Sequence, residues 1–162
     1  MTLREILVGK NAGKSLIRGL CVAALLLLGS RYLLVPVRAH GISMLPTYEE
    51  GQFIFVNRLA YRFSPLKRGD VVAITLNGGG AVLVKRIIAL PGETVSIDGG
   101  QVFIDGAPLD EPYKHFFLPW NMKEGRVAAD EVFVIGDNRS MRLENHDFGF
   151  ARQDRILGRA VN

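Results

Sequence analysis

Polar positions in the first forty residues are few and mostly basic. Beyond them, apolar residues recur in short runs broken by Gly, Pro, Asn and Asp. "GLCVAALLLLGS" (19–30) carries no charge, Arg31 interrupts, and "YLLVPV" extends the apolar run to Val37. As a helix rising 1.5 Å per residue, 19–37 reaches about 28 Å, close to the hydrocarbon thickness of a bilayer. Arg4, Lys10, Lys14 and Arg18 precede the run against Glu5 alone, and this bias keeps the N-terminus in the cytoplasm. Arg31 sits near enough to the far end for its stem to snorkel to the interface. The pattern predicts a cytoplasmic basic segment over 1–18, a transmembrane anchor over 19–37 and an extracytoplasmic domain over 38–162. "VRA" (37–39) also fits removal of the segment after Ala39; either reading exports the rest of the chain.

From residue 52 onward the runs are short and β-prone: "QFIFVN" (52–57), "DVVAITL" (70–76), "AVLVKRIIAL" (81–90), "ETVSID" (93–98), "QVFID" (101–105) and "EVFVIGD" (131–137). Turn residues separate them, at "NGGG" (77–80), "PGE" (91–93), "DGG" (98–100) and "DGAP" (105–108). This spacing predicts a mainly β, antiparallel domain, with "SIDGGQVFIDG" as a hairpin and a brief helix over 57–63. Residues 106–130 lack periodicity, contain Pro108, Pro112 and Pro119, and read as an irregular excursion.

The formal charge is +4, from 20 Lys and Arg against 16 Asp and Glu. Much of the surplus lies in the first 38 residues, which suits a membrane surface and argues against nucleic acid as a partner. One cysteine, Cys21, excludes an internal disulfide and a thiolate cluster. Three scattered histidines form no metal motif, and no Gly-rich phosphate loop is present, so neither metal nor cofactor is expected.

Two residues are out of place chemically. Ser43 stands between Ile42 and Met44, just after the apolar segment, in "AHGISMLPTYEEG" (39–51). Lys85 lies inside an apolar strand, and period-2 alternation puts Leu83, Lys85 and Ile87 on one face and Val84, Arg86 and Ile88 on the other. One of the two cations then points into protein. Burial without a carboxylate disfavours the ammonium, and a neutral lysine amine can activate a serine as a general base. On alternation alone an edge strand with both cations in water remains open. A Ser-His-Asp arrangement through His40 or His146 is the other hydrolytic option.

The boxes around these residues resemble those of bacterial type I signal peptidases. "GISMLPTYEEGQFIFVNR" is similar to the nucleophile box, "GDVVAI" (69–74) to the next strand, and "VKRIIALPGETVSI" (84–97) to the lysine box. "FVIGDNRSMRLENHDFGF" (133–150) resembles the Gly-Asp-Asn box, and "ILGRAV" (156–161) the closing strand. The resemblance implies a signal-peptidase-like antiparallel β-fold behind one N-terminal transmembrane helix. It implies Ser43 as nucleophile, Lys85 as general base, and Gly41, Ile42, Met44 and Val84 around the oxyanion and substrate cleft. Asp137 and Asn138 are expected as structural support.

The chain departs from that pattern at Gly41, Arg142, Glu144, Asn145 (where a second serine would stand) and His146. Gly41 stands where some relatives carry a hydroxyl. Arg142 stands where a serine would orient the lysine, so Ser140 is the available substitute. Glu144 and His146 replace an acid–base pair, and are expected to brace the loop. The expected function is a single-pass plasma-membrane serine endopeptidase that removes signal peptides from preproteins with small residues before the cut. The lipid bilayer is the other partner. A specialised maturation peptidase of pilin or conjugation systems, and an inactive membrane-anchored peptide-binding relative, are the alternatives. A self-cleaving repressor-type protease is disfavoured, because a membrane segment stands in place of a DNA-binding region.

Overall fold

The computed structural model describes residues 12–76, 82–146 and 148–161; the first eleven residues and the "NGGG" turn (77–80) fall outside these. The chain divides into two units, Met1–Leu34 and Val35–Asn162.

In the first unit, helix α1 (Ala12–Leu33) runs for 22 residues. Its alanines, leucines and cations are good helix formers, and Leu16, Ile17, Leu20, Leu25, Leu26 and Leu27 are exposed along it. Lys14 and Arg18 are exposed on the same helix. Among the described residues, no helix is long and apolar enough to cross a membrane. The transmembrane helix expected over 19–37 is therefore not found among the described residues: the helix that is present begins at Ala12 and stops at Leu33. Leu34–Arg38 form strand β1 instead. Pro36 has no N–H to donate and disfavours the α conformation at Val35, so the helix cannot run on to Val37.

The second unit is mainly β, as the spacing predicts. A seven-stranded sheet has the order β1-β2-β13-β3-β4-β10-β12, with β2 (Phe53–Asn57), β3 (Val71–Thr75), β4 (Val82–Ala89), β10 (Glu131–Ile135), β12 (Gly149–Arg152) and β13 (Ile156–Val161). The ladders from β2 through β12 are antiparallel. A four-stranded sheet has the order β7-β6-β5-β9, from β5 (Thr94–Asp98), β6 (Gln101–Ile104), β7 (Ala107–Pro108) and β9 (Met122–Arg126). A short parallel pair joins β8 (His115–Phe117) to β11 (Asn138–Arg139). The expected helix over 57–63 is a single turn, α2 (Ala60–Phe63).

The β5–β6 hairpin turns at Gly99 and Gly100, both at positive φ (54° and 86°). Two consecutive left-handed residues are what a two-residue hairpin of matching twist requires. Residues 106–130 are a correction: this stretch holds β7, β8 and β9 and buries Glu111, Trp120 and Val127. β9 lies at the edge of its sheet, with Lys123, Glu124 and Arg126 exposed, so backbone pairing forms the strand without apolar alternation.

Among the described residues, three apolar clusters hold the unit together. Ile88, Val95, Ile97, Val102, Trp120, Phe133 and Ile135 form the largest. Val72, Ile74, Ile87, Val132 and Val134 form a second. Ala39, Met44, Tyr48, Ile54 and Val71 form the third, which underlies the turn carrying Ser43. Each fully buried Val, Ile or Met side chain contributes roughly 1.5–3 kcal/mol.

Candidate active site

Ser43 lies in a tight turn after β1. The Leu45 N–H donates to the Ile42 carbonyl at 3.1 Å and the Tyr48 N–H to the Met44 carbonyl at 3.0 Å. Met44 and Tyr48 anchor the turn in the core. Lys85 is in the middle of β4, directly opposite Val72 on β3, and is only 2% exposed. Its Nζ is hydrogen-bonded to Ser43 Oγ at 2.9 Å.

The segment after β10 fixes the same turn. The Asn138 N–H donates to the Ser43 carbonyl at 3.0 Å, and Asn138 Nδ2 donates to the Ile42 carbonyl at 3.0 Å. Gly136 makes this approach possible: a Cβ there would stand 2.2 Å from the Ser43 carbonyl oxygen. Asp137, 0% exposed, receives Arg86 Nε at 2.8 Å on one carboxylate oxygen and Arg86 Nη2 at 2.6 Å on the other. It also accepts the Thr47 hydroxyl in a short hydrogen bond. Arg86 Nη1 donates to the Gly69 carbonyl at 2.7 Å, and the guanidinium lies 4.1 Å from the centre of the Tyr113 ring. Burial works against the Arg86 charge. The hydrogen bonds and charge of Asp137 outweigh it, so the guanidinium is held protonated more firmly than usual. Burial first, and then the charge of Glu111, push the Tyr113 phenol up.

One layer further back, Arg139 Nε donates to the Gly136 carbonyl at 2.7 Å, and Arg139 Nη2 donates to Glu111 at 2.6 Å in a buried ion pair. His146 is buried beside Gly136, with Nε2 3.2 Å from the Asn138 carbonyl and its ring edge-on to Trp120 at 5.0 Å.

A cleft of about 30 Å³ opens beside Ser43, lined by Gly41, Met44, Val82 and Val84 together with Ala39, His40 and Leu83. Gly41, Met44 and Val84 thus lie around one small cleft with Ser43. Ile42 does not line this cleft; its side chain is exposed and its carbonyl binds Asn138. Asp137 and Asn138 lie directly against the serine turn. Glu144 and His146 are not brought together: Glu144 is exposed and pairs with Arg142 at 3.8 Å. Ser140 is also exposed, its N–H donating to Asn138 Oδ1 at 3.0 Å. His40 is a surface residue 3.9 Å from Glu50, and His146 Nε2 is set against the Asn138 carbonyl and not the Ser43 hydroxyl.

Sequence reasoning missed Arg86, Thr47, Tyr113 and Glu111. It took one of the two consecutive cations to point inward, whereas both are engaged, on alternate faces. The carboxylate ending the apolar run "VFVIGD" was the available signal, because a buried acid needs a cation. No sequence signal marked Glu111.

A sequence profile of the family described as "Signal peptidase, peptidase S26" matches residues 13–162. The signal peptidase I of Leptolyngbya laminosa is 37% identical over 130 residues, covering 74% of this chain and 63% of that protein. A protein of Synechocystis sp. named probable signal peptidase I-1 is 39% identical over 127 residues, covering 74% of this chain and 65% of that protein. The chain thus spans somewhat under two thirds of the length of these two relatives. A crystal structure of a signal peptidase I from Enterococcus faecalis V583 aligns at 26% identity over 61% of this chain and 98% of that one, with a TM-score of 0.49. With a profile match from residue 13 to the C-terminus, the chain belongs to the signal peptidase family, peptidase S26.

Proposed function

We propose that the protein is a membrane-attached serine endopeptidase that removes N-terminal signal peptides from exported preproteins. The observation that carries this reading is the 2.9 Å contact between the buried Lys85 amine and the Ser43 hydroxyl. In its neutral form this amine accepts the Ser43 proton as Oγ attacks the scissile carbonyl carbon. The Ser43 N–H is the donor we assign to the oxyanion. As the carbon–nitrogen bond breaks, its electron pair goes to nitrogen, and the Lys85 ammonium returns the proton to the leaving amine. Lys85 then deprotonates a water, which hydrolyses the ester on Ser43. No cofactor enters any step.

The small volume of the cleft beside Ser43 supports a preference for small residues before the cut. Membrane attachment, with Met1 in the cytoplasm and the catalytic unit outside, belongs to the same proposal. The exposed leucines of α1 and the basic residues at its start support it. The test is cleavage of a secretory precursor, in detergent or lipid, by the full chain beside Ser43→Ala. Cleavage by the parent chain alone is expected. No cleavage by either leaves an inactive peptide-binding relative as the reading.

A further inference from the structure

Among the described residues, the face of the seven-stranded sheet that carries Lys85 is only partly covered. Cross-strand register puts Val72 opposite Lys85, Ile74 opposite Leu83, Val134 opposite Ile87 and Gly149, and Val132 opposite Ala151. Directly opposed residues share a face. Tyr61 and Leu66 pack on this face, and neither lines the part that stays open. There a groove of about 460 Å³ crosses β3, β4, β10 and β12 over Ile74, Leu83, Lys85 and Val134. That volume lies within the range of ligand clefts, about 300–1,000 Å³. All four residues of β12 line the groove, with Gly149 and Ala151 leaving space between Phe150 and Arg152. A Cβ on Gly149 would meet no atom within 4 Å, so the space there is open.

Lys85 joins this groove to the small cleft. It lines the groove while its Nζ touches Ser43 Oγ, and Leu83 lines both spaces. The two halves of a cleaved chain must part at this residue. The acyl half stays bonded to Ser43, beside Met44 and Val84. The other half leaves as an amine whose nitrogen takes its proton from Lys85, and so departs on the lysine side. We infer that the groove seats the substrate chain after the scissile bond, the first residues of the mature protein, held extended over Leu83 and β12. This rests on the proposed peptidase reaction and adds to it a second binding surface. Leu83, Val134 and Phe148 supply apolar lining and Glu131, Arg152 and Arg155 polar lining, so apolar contact and polar contacts together hold these residues.

The test compares two substrates with the same residues up to an alanine before the cut. One continues into the mature chain; the other ends at that alanine as a 4-nitroanilide. The full chain in detergent is compared with Ala151→Phe, which fills the groove from β12, and with Leu76→Trp, which narrows its rim from an exposed position. Each variant is expected to lower kcat/KM for the long substrate by about tenfold or more and for the anilide by less than about twofold, because only the long substrate uses the groove. Equal losses on both substrates, or no loss on either, overturn the groove. Leu76→Trp decides the matter if circular dichroism shows Ala151→Phe unfolded. A parent chain that cuts neither substrate overturns the peptidase reading itself, and the groove with it.

Discussion

Lys85 and Arg86 are neighbours on β4 and grip the same turn from alternate faces of the strand. Lys85 meets Ser43 directly at 2.9 Å, while Arg86 reaches Thr47, four residues further on, both through Asp137 and by a long Nη2 donation to its hydroxyl at 3.5 Å. The turn is thereby held at both ends. Asp137 is fully buried and the Arg86 side chain is 12% exposed, so removing one partner strands the other charge, at a cost of about 3–5 kcal/mol. Asp137→Ala is expected to lower unfolding free energy by about that amount and to depress cleavage. Urea unfolding followed by circular dichroism measures it. A loss below about 1 kcal/mol would mean the pair behaves like an exposed one.

Gly136 offers a sharper probe of the turn. The 2.2 Å approach of the Ser43 carbonyl leaves no space for a methyl group. Gly136→Ala must push the turn away from Lys85 or distort β10, at about 1–3 kcal/mol of overpacking. We expect a folded protein whose kcat falls at least about tenfold, since small misplacement of reacting groups is costly. Unchanged kcat in folded Gly136→Ala contradicts the placement of the serine turn.

What the sequence revealed follows from local pattern. β3 and β4 stood out as apolar, β-prone runs bounded by turn residues, and β13, which occupies the whole of "ILGRAV", through its resemblance to the closing strand of signal peptidases. Ser43 and Lys85 stood out because each breaks an apolar setting. The ion pair of Glu111 with Arg139 stayed hidden, because Glu111 comes from a stretch built on short edge ladders and turns. Lys85 and Arg86 could be put on opposite faces, but alternation cannot say that a carboxylate 51 residues away meets the second. The end of α1 was misplaced because apolar content continues past Leu33 while Pro36 ends the helix.

The cleft beside Ser43 is small, about 30 Å³, which favours a methyl-sized side chain over a ring. Changing the residue before the cut from Ala to Phe in one precursor should stop cleavage, because a rigid pocket cannot admit the ring without strain. Enlarging the residue third before the cut should also impair cleavage, and changing the one between should matter little, since its side chain points the other way along an extended chain. Gel analysis of matched precursors reads all three. Equal cleavage of the Ala and Phe forms rejects the small cleft as the specificity pocket and favours a specialised maturation peptidase.

The basic start of the chain predicts which side of the membrane each end occupies. Protease added to right-side-out vesicles should digest the unit from Val35 onward and spare the first dozen or so residues. Digestion of the N-terminus alone reverses the assignment. A mature protein beginning at His40 would show that the segment ending "VRA" is removed.

The central claim is that Ser43 and Lys85 act as one unit. The most direct measurement is kcat/KM for one precursor with Ser43→Ala, Lys85→Met and the double variant, each checked for its fold. Each single change should cost at least about 10²-fold, and the double variant should be no worse than either, because residues that work together are not additive. Lys85→Arg should be as inactive as Lys85→Met, since a guanidinium does not give up its proton in proteins. Substantial cleavage by folded Lys85→Met, or losses that multiply in the double variant, would contradict the assignment.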